Sequence, residues 1–307
     1  MHIAVQATLL INIIFLIIPT NIIYADQTSA SLDPNLAEAE KCQKIIKVRQ
    51  DGGGDFKTVT EAVNSVPAGN KVRTILSIGP GVYKEKIKVD RSKPFITFYG
   101  EGMPKLTFDG TALKYKGSVY SASVIVESDY FMAANIIFEN TAPEPDGKMK
   151  DAQAVAMRIS GTVDFIFGRG KSFYTNTELH SVGKDSAVIV ANAREKDDDD
   201  SAYVFVNCKV TGTGKIMLGR TWRDRARVVF AHTDMVANVN PAGWENNNSK
   251  LSNEHVFYGE YMNKGPGANT DKRASFAKNL TEEEAKPFID SKSFIKTETW
   301  LLPPPKL

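Results

Sequence analysis

The apolar pattern changes character several times along the 307-residue chain. From Ile3 to Tyr24 there is no Lys, Arg, Asp or Glu, and "LLINIIFLII" leads into Pro19 ahead of a small Ala25. That pattern predicts a secretory signal over residues 1–25; the rival, a membrane anchor, is disfavoured by Pro19 and the short apolar core. Residues 26–45 are polar with no period and read as a loose leader. Thr58 and Glu61 then form a T-x-x-E capping pair, and Val59, Ala62, Val63 and Val66 recur at helical spacing. A short helix is predicted there, ended by Pro67 and Gly69.

Beyond the helix the pattern is one of short strands and turns, among them "TILSIG", "FITFYG", "NIIFEN", "VDFIF", "AVIVAN", "YVFVNCKV" and "RVVFAH". Such a series predicts an all-β sandwich, barrel or solenoid. A weak repeat favours the solenoid: Phe138-Glu-Asn140-Thr141, Tyr174-Thr-Asn176-Thr177 and Phe205-Val-Asn207-Cys208, with Asn expected to turn inward and bond backbone groups at a corner. Near the C-terminus Thr281 and Glu284 repeat the capping pair.

Composition adds little. Hydrophobic residues make up 42% and charged ones 24%, an ordinary globular balance, and Lys plus Arg exceed Asp plus Glu by 38 to 36. A charge of +2 gives no ground for a nucleic-acid partner. Two sequons, Asn247-Asn-Ser249 and Asn279-Leu-Thr281, are compatible with export. Cys42 and Cys208 are able to pair in an oxidising compartment, but their spacing decides nothing. The run "EKDDDD" (Glu195 to Asp200) reads as a solvated turn.

Several chemistries are excluded. There is no G-x-S-x-G elbow, and "GRGKS" has Phe165 where a phosphate loop needs glycine. "DGGGDF" does not fit a dinucleotide fingerprint, and the histidines lack metal-ligand spacing. Carboxylate chemistry remains, and Asp164 stands out as a lone acid between Val163 and the run Phe165, Ile166, Phe167.

Four stretches in order, "GVYKE" (Gly81 to Glu85), "QAVAM" (Gln153 to Met157), "DFIFG" (Asp164 to Gly168) and "LGRTW" (Leu218 to Trp222), resemble the plant pectin methylesterase (pectinesterase) family. "NTAP", "PAGW", "FYGEY" and "GPGA" flank them in the family's order, and the resemblance covers roughly residues 45 to 300. It implies a right-handed parallel β-helix over residues 46–307 and hydrolysis of methyl esters of polygalacturonate in the cell wall. It implies Asp164 as nucleophile, Arg220 as the guanidinium that holds it ionised, and Gln153 as an oxyanion donor. Trp222, Trp244 and Phe165 are implied as substrate-binding aromatics. Two local departures are Thr221, where the family has Pro, and Arg169, where it usually has Asn.

One departure is larger. The family's "GxQDTL" motif, whose Asp is the general acid and whose Gln is the second oxyanion donor, is absent: "QAVAMRISG" runs straight into "TVDFIFG". Gln153 and Asp164 are 11 residues apart, while one solenoid coil takes roughly 20 or more. The β-helix is therefore expected to be shortened by about one to two coils, as an in-frame skipped segment would leave it. A general acid contributes about 10²–10⁴-fold and one oxyanion donor about 10²–10³-fold. The alternative is accordingly a catalytically impaired β-helix that binds wall polysaccharide without turnover.

No metal or organic cofactor is required, since a carboxylate and amide donors suffice. The expected partner is methyl-esterified polygalacturonate (pectin), and the family also admits a proteinaceous esterase inhibitor. The mature chain is expected to be a secreted monomer with no membrane partner.

Overall fold

The computed structural model describes residues 34–115, 118–142, 158–236, 238–246 and 254–295. The signal segment, Gln153 and the Asn247 sequon lie outside them. Every strand pairing among the described residues is parallel. Parallel neighbours need long crossovers rather than hairpins, and here each crossover is another strand of the same coil. The chain forms the predicted solenoid, a right-handed parallel β-helix.

Stacking of like on like fills the interior. Tyr174, Phe205 and Phe230 are register partners in the strands Lys171–Thr175, Ala202–Val206 and Arg227–Ala231. Their rings stack at 4.7 and 4.5 Å, which is the spacing of hydrogen-bonded strands. Each of these three strands is followed by a left-handed corner, at Asn176, Asn207 and His232 (φ 52°, 53° and 51°), and Met262 continues the ladder (φ 47°). Asn tolerates that conformation better than most residues. The expected inward Asn is thus corrected: Asn176 and Asn207 are exposed and serve through their backbone. Only Asn140, on a different sheet, is buried and bonds the backbone, at Gly110 O and Ala142 N.

Both capping pairs form as read. Thr58 and Glu61 close the start of helix Val59–Ser65, and Thr281 and Glu284 that of Glu282–Ile289. The stretch expected to be a loose leader is not loose from Pro34 onward. It carries helix Pro34–Lys41 and strand Gln43–Val48, and Leu36 and Ala39 are buried. Glu40 accepts from Arg73 at 2.6 Å with both side chains buried, and the same guanidinium donates to Tyr130 O. Phe95 and Tyr130, stacked at 5.4 Å beneath the helix, both hold left-handed backbones. Among the described residues no helix is long and apolar enough to cross a membrane.

The register breaks just ahead of Asp164. In strand Arg158–Gly161, Gly161 pairs with Ser181, yet two residues later Val163 pairs with Val188. Among the described residues, Val182–Ala187 have no strand partner on this side, although their other edge is paired with the strand Lys209–Arg220. Val182 is left exposed. The wall is interrupted at the same level: one sheet ends at Met132–Ala134, the next begins at Lys171–Thr175. A cleft between them is bordered by Phe95 and Tyr130 on one side and by Lys171 and Asp200 on the other.

Candidate active site

Asp164 owes its position to a bulge. In strand Val163–Gly168 the pairing with Glu178–Asn192 shifts between Val163 and Ile166, and Asp164 adopts φ 52°. In a regular strand Phe165 and Phe167 would share a face. With the bulge, the sequence neighbours Phe165 and Ile166 are both buried while Asp164 and Phe167 stay half-buried. The extra residue re-aims a side chain, as bulges beside active sites do.

Arg220 ends the strand Lys209–Arg220, two coils on. Its Nε donates to Asp164 Oδ1 at 2.7 Å and its Nη2 to Oδ2, a bidentate fork. Burial pushes the Asp164 carboxyl above its ordinary range, and the hydrogen bonds and charge of Arg220 pull against that shift. A partly desolvated carboxylate, fixed by one guanidinium and still reachable, is suited to nucleophilic attack.

Beside it lie Phe167 and Trp222, edge to face at 5.8 Å, with Trp222 exposed at the rim. Thr221 between Arg220 and Trp222 is buried, and its hydroxyl donates to Asn246 Oδ1. Among the described residues no cluster of His, Cys, Asp or Glu is arranged to hold a metal ion.

The family model described as Pectinesterase matches residues 45–160 and 156–298, in two pieces that overlap just ahead of Asp164. Pectinesterase 1 of Olea europaea is 47% identical over 315 residues, covering 90% of this chain and 85% of its own. The chain belongs to the pectinesterase family. A pectinesterase from Parthenium hysterophorus is likewise 47% identical over 315 residues, with the same coverage. Among solved structures, the pectin methylesterase from carrot is similar at a TM-score of 0.70, with 25% identity, over 90% of this chain and 97% of its own. The pectin methylesterase from Aspergillus niger shares the fold at a TM-score of 0.67 and 21% identity, over 84% and 96% of the two chains.

Set against this pectinesterase's own geometry, the expected site residues divide. Asp164, Arg220 and Trp222 come together, and Gln153 lies outside the described residues. Trp244 and Phe165 are corrected as sugar-binding walls: they are 2% and 1% exposed and belong to the core. Trp244 stacks on Tyr258 at 4.4 Å and lies so close under Gly219 that a Cβ there would sit 3.1 Å from its ring. Its indole donates to Glu260, which Arg273 grips through Nε and Nη2 at 2.7 and 3.1 Å. This buried set backs the strand end that carries Arg220. The residue missed by sequence reading is Phe167, whose only signal was its place in the same apolar run as Phe165.

Proposed function

We propose that this pectinesterase hydrolyses methyl esters of polygalacturonate, releasing methanol. The observation that carries the reading is the two-pronged contact of Arg220 on Asp164 at the rim bearing Phe167 and Trp222. In this reading an Asp164 oxygen attacks the ester carbonyl, the C–O bond to the methoxy group breaks, and the methoxide takes a proton from water and leaves as methanol; a second water then cleaves the resulting anhydride, giving the uronic acid and restoring the Asp164 carboxylate. Arg220 keeps the nucleophile ionised and aimed, Gln153 donates to the oxyanion, and Trp222 lies along a sugar ring.

The missing Q-D-T segment sets the turnover. Its general acid and second oxyanion donor are absent from the sequence. The register break from Gly161 to Val163 and the two-piece family match agree with a coil removed at that joint. Turnover is accordingly low; the second reading is a wall-polysaccharide binder without turnover. Residues 1–25 direct export, the mature chain acts in the wall as a monomer, and a proteinaceous inhibitor is a partner of the same rim.

Methanol released from esterified pectin by the purified protein tests the proposal. Release that disappears in Asp164→Asn supports it; pectin retained without any release would transfer the protein to the second reading.

A further inference from the structure

The five-stranded wall ends on an open edge. Its strand order runs from Lys171–Thr175 to Ala277–Asn279, and Ala277–Asn279 pairs with Phe257–Tyr261 on one side. Among the described residues no strand pairs on the other side. Such an edge offers backbone N–H and C=O groups to any extended chain, a second copy of the protein included.

Asn279, the last residue of that strand, is also the first of the sequon Asn279-Leu280-Thr281. Alternation sorts the three residues. Asn279 and Thr281 are exposed, while Leu280 between them is buried and packs with Val229 and Ala285. Leu280 lies so close over the neighbouring strand that a Cβ at Gly259 would meet its Cδ1 at 2.6 Å. The residue that accepts a sugar and the residue that completes the motif therefore both face solvent. Several other asparagines are occupied with the backbone: Asn70, Asn140, Asn238 and Asn263 each donate through Nδ2 to main-chain carbonyls. Among the described residues the Asn279 carboxamide makes no hydrogen bond. A hollow lined by Thr270, Ser275, Lys278 and Asn279 opens beside it and leaves room for a bulky group.

We propose that Asn279 carries an N-linked glycan that covers this edge and keeps two copies of the chain from pairing along it. In the transfer, Asn279 Nδ2 bonds to C1 of the first sugar and loses a proton, and the bond from C1 to the diphosphate of a lipid-linked oligosaccharide breaks. The inference rests on the export reading above, since an exported chain is the one that meets this donor. Thr281 has a second use: its hydroxyl accepts from Glu284 N at 3.3 Å and caps helix Glu282–Ile289. The two uses are separable by substitution.

Peptide mass mapping of the full chain secreted by plant cells tests the proposal, with residues 1–25 in place and, in parallel, with a leader of proven export. The peptide holding Asn279 is expected to carry sugar in wild type and in Thr281→Ser, and to lose it in Asn279→Gln and Thr281→Asp. Asp caps a helix as well as Thr does, so Thr281→Asp keeps a thermal midpoint near wild type while losing the glycan. In sedimentation, wild type is expected to stay monomeric at concentrations where the two bare variants dimerise, their dimers at least about tenfold tighter. A bare Asn279 in chain exported by the proven leader overturns the proposal, as do bare variants that stay as monomeric as wild type. Export by the proven leader alone, with Asn279 modified, keeps the glycan and sinks the export reading; export by residues 1–25 with Asn279 bare does the reverse.

Discussion

Gly161 lies directly beneath Phe165: a Cβ at Gly161 would stand 2.4 Å from the Phe165 Cβ. The contact explains why glycine precedes the bulge. The chain doubles back on itself there, so that Phe165 enters the core and Asp164 is turned toward Arg220. Forcing an extra methyl into such a contact costs about 1–3 kcal/mol. Gly161→Ala is expected to lower the thermal midpoint and to reduce methanol release together. An unchanged midpoint with full release would show that the bulge does not depend on this close approach.

The pH dependence follows from the Asp164 environment. Burial raises its pKa above the ordinary 3.8, and Arg220 opposes the rise. The nucleophile is the ionised form, so activity appears as pH climbs through the raised value and is lost on acidification sooner than for a solvated Asp. Arg220→Gln removes the opposing charge, so the acid limb of kcat/KM moves to still higher pH and its plateau falls by about 10²-fold or more. A limb left in place by the substitution would separate Arg220 from the ionisation of Asp164.

The two thiols are free, Cys42 on the surface and Cys208 in the core, so the pairing open at the level of sequence does not form. Burial pushes the Cys208 thiol up to about 12. A thiolate-selective reagent at pH 8 is expected to titrate one sulfhydryl in the native protein and the second only after unfolding. Two rapid equivalents, or none, would contradict this arrangement.

Inserting into the joint at Ser160–Gly161 a coil-length segment from a family member, with its Q-D-T, restores a general acid. Turnover is expected to rise at least about 10²-fold, with the Val182–Ala187 edge regaining a partner and becoming protected from amide exchange. A soluble, folded insertion variant with unchanged turnover would mean that the missing acid is not what limits this chain.

Local signals in the sequence were read correctly. Thr58 with Glu61 and Thr281 with Glu284 cap helices because all the chemistry lies within four residues. The Asp164–Arg220 pair joins residues 56 apart and was legible only through motifs carried from the family. Burial of Trp244 was not legible, because the sequence does not say which face of a coil an aromatic takes. The exchange of roles between Phe165 and Phe167 was hidden too: alternation assumes a regular strand, and the bulge breaks it. Helix Pro34–Lys41 escaped notice because its order comes from Glu40 meeting Arg73, a contact set by tertiary structure.

That helix changes how the whole stack comes apart. In a solenoid each coil normally touches only its neighbours, so melting can proceed one layer at a time from an end. Glu40, Arg73 and the Tyr130 carbonyl tie a crosswise brace over three successive layers. Those layers are held to one another directly, so the amino-terminal end loosens as a block rather than one coil at a time.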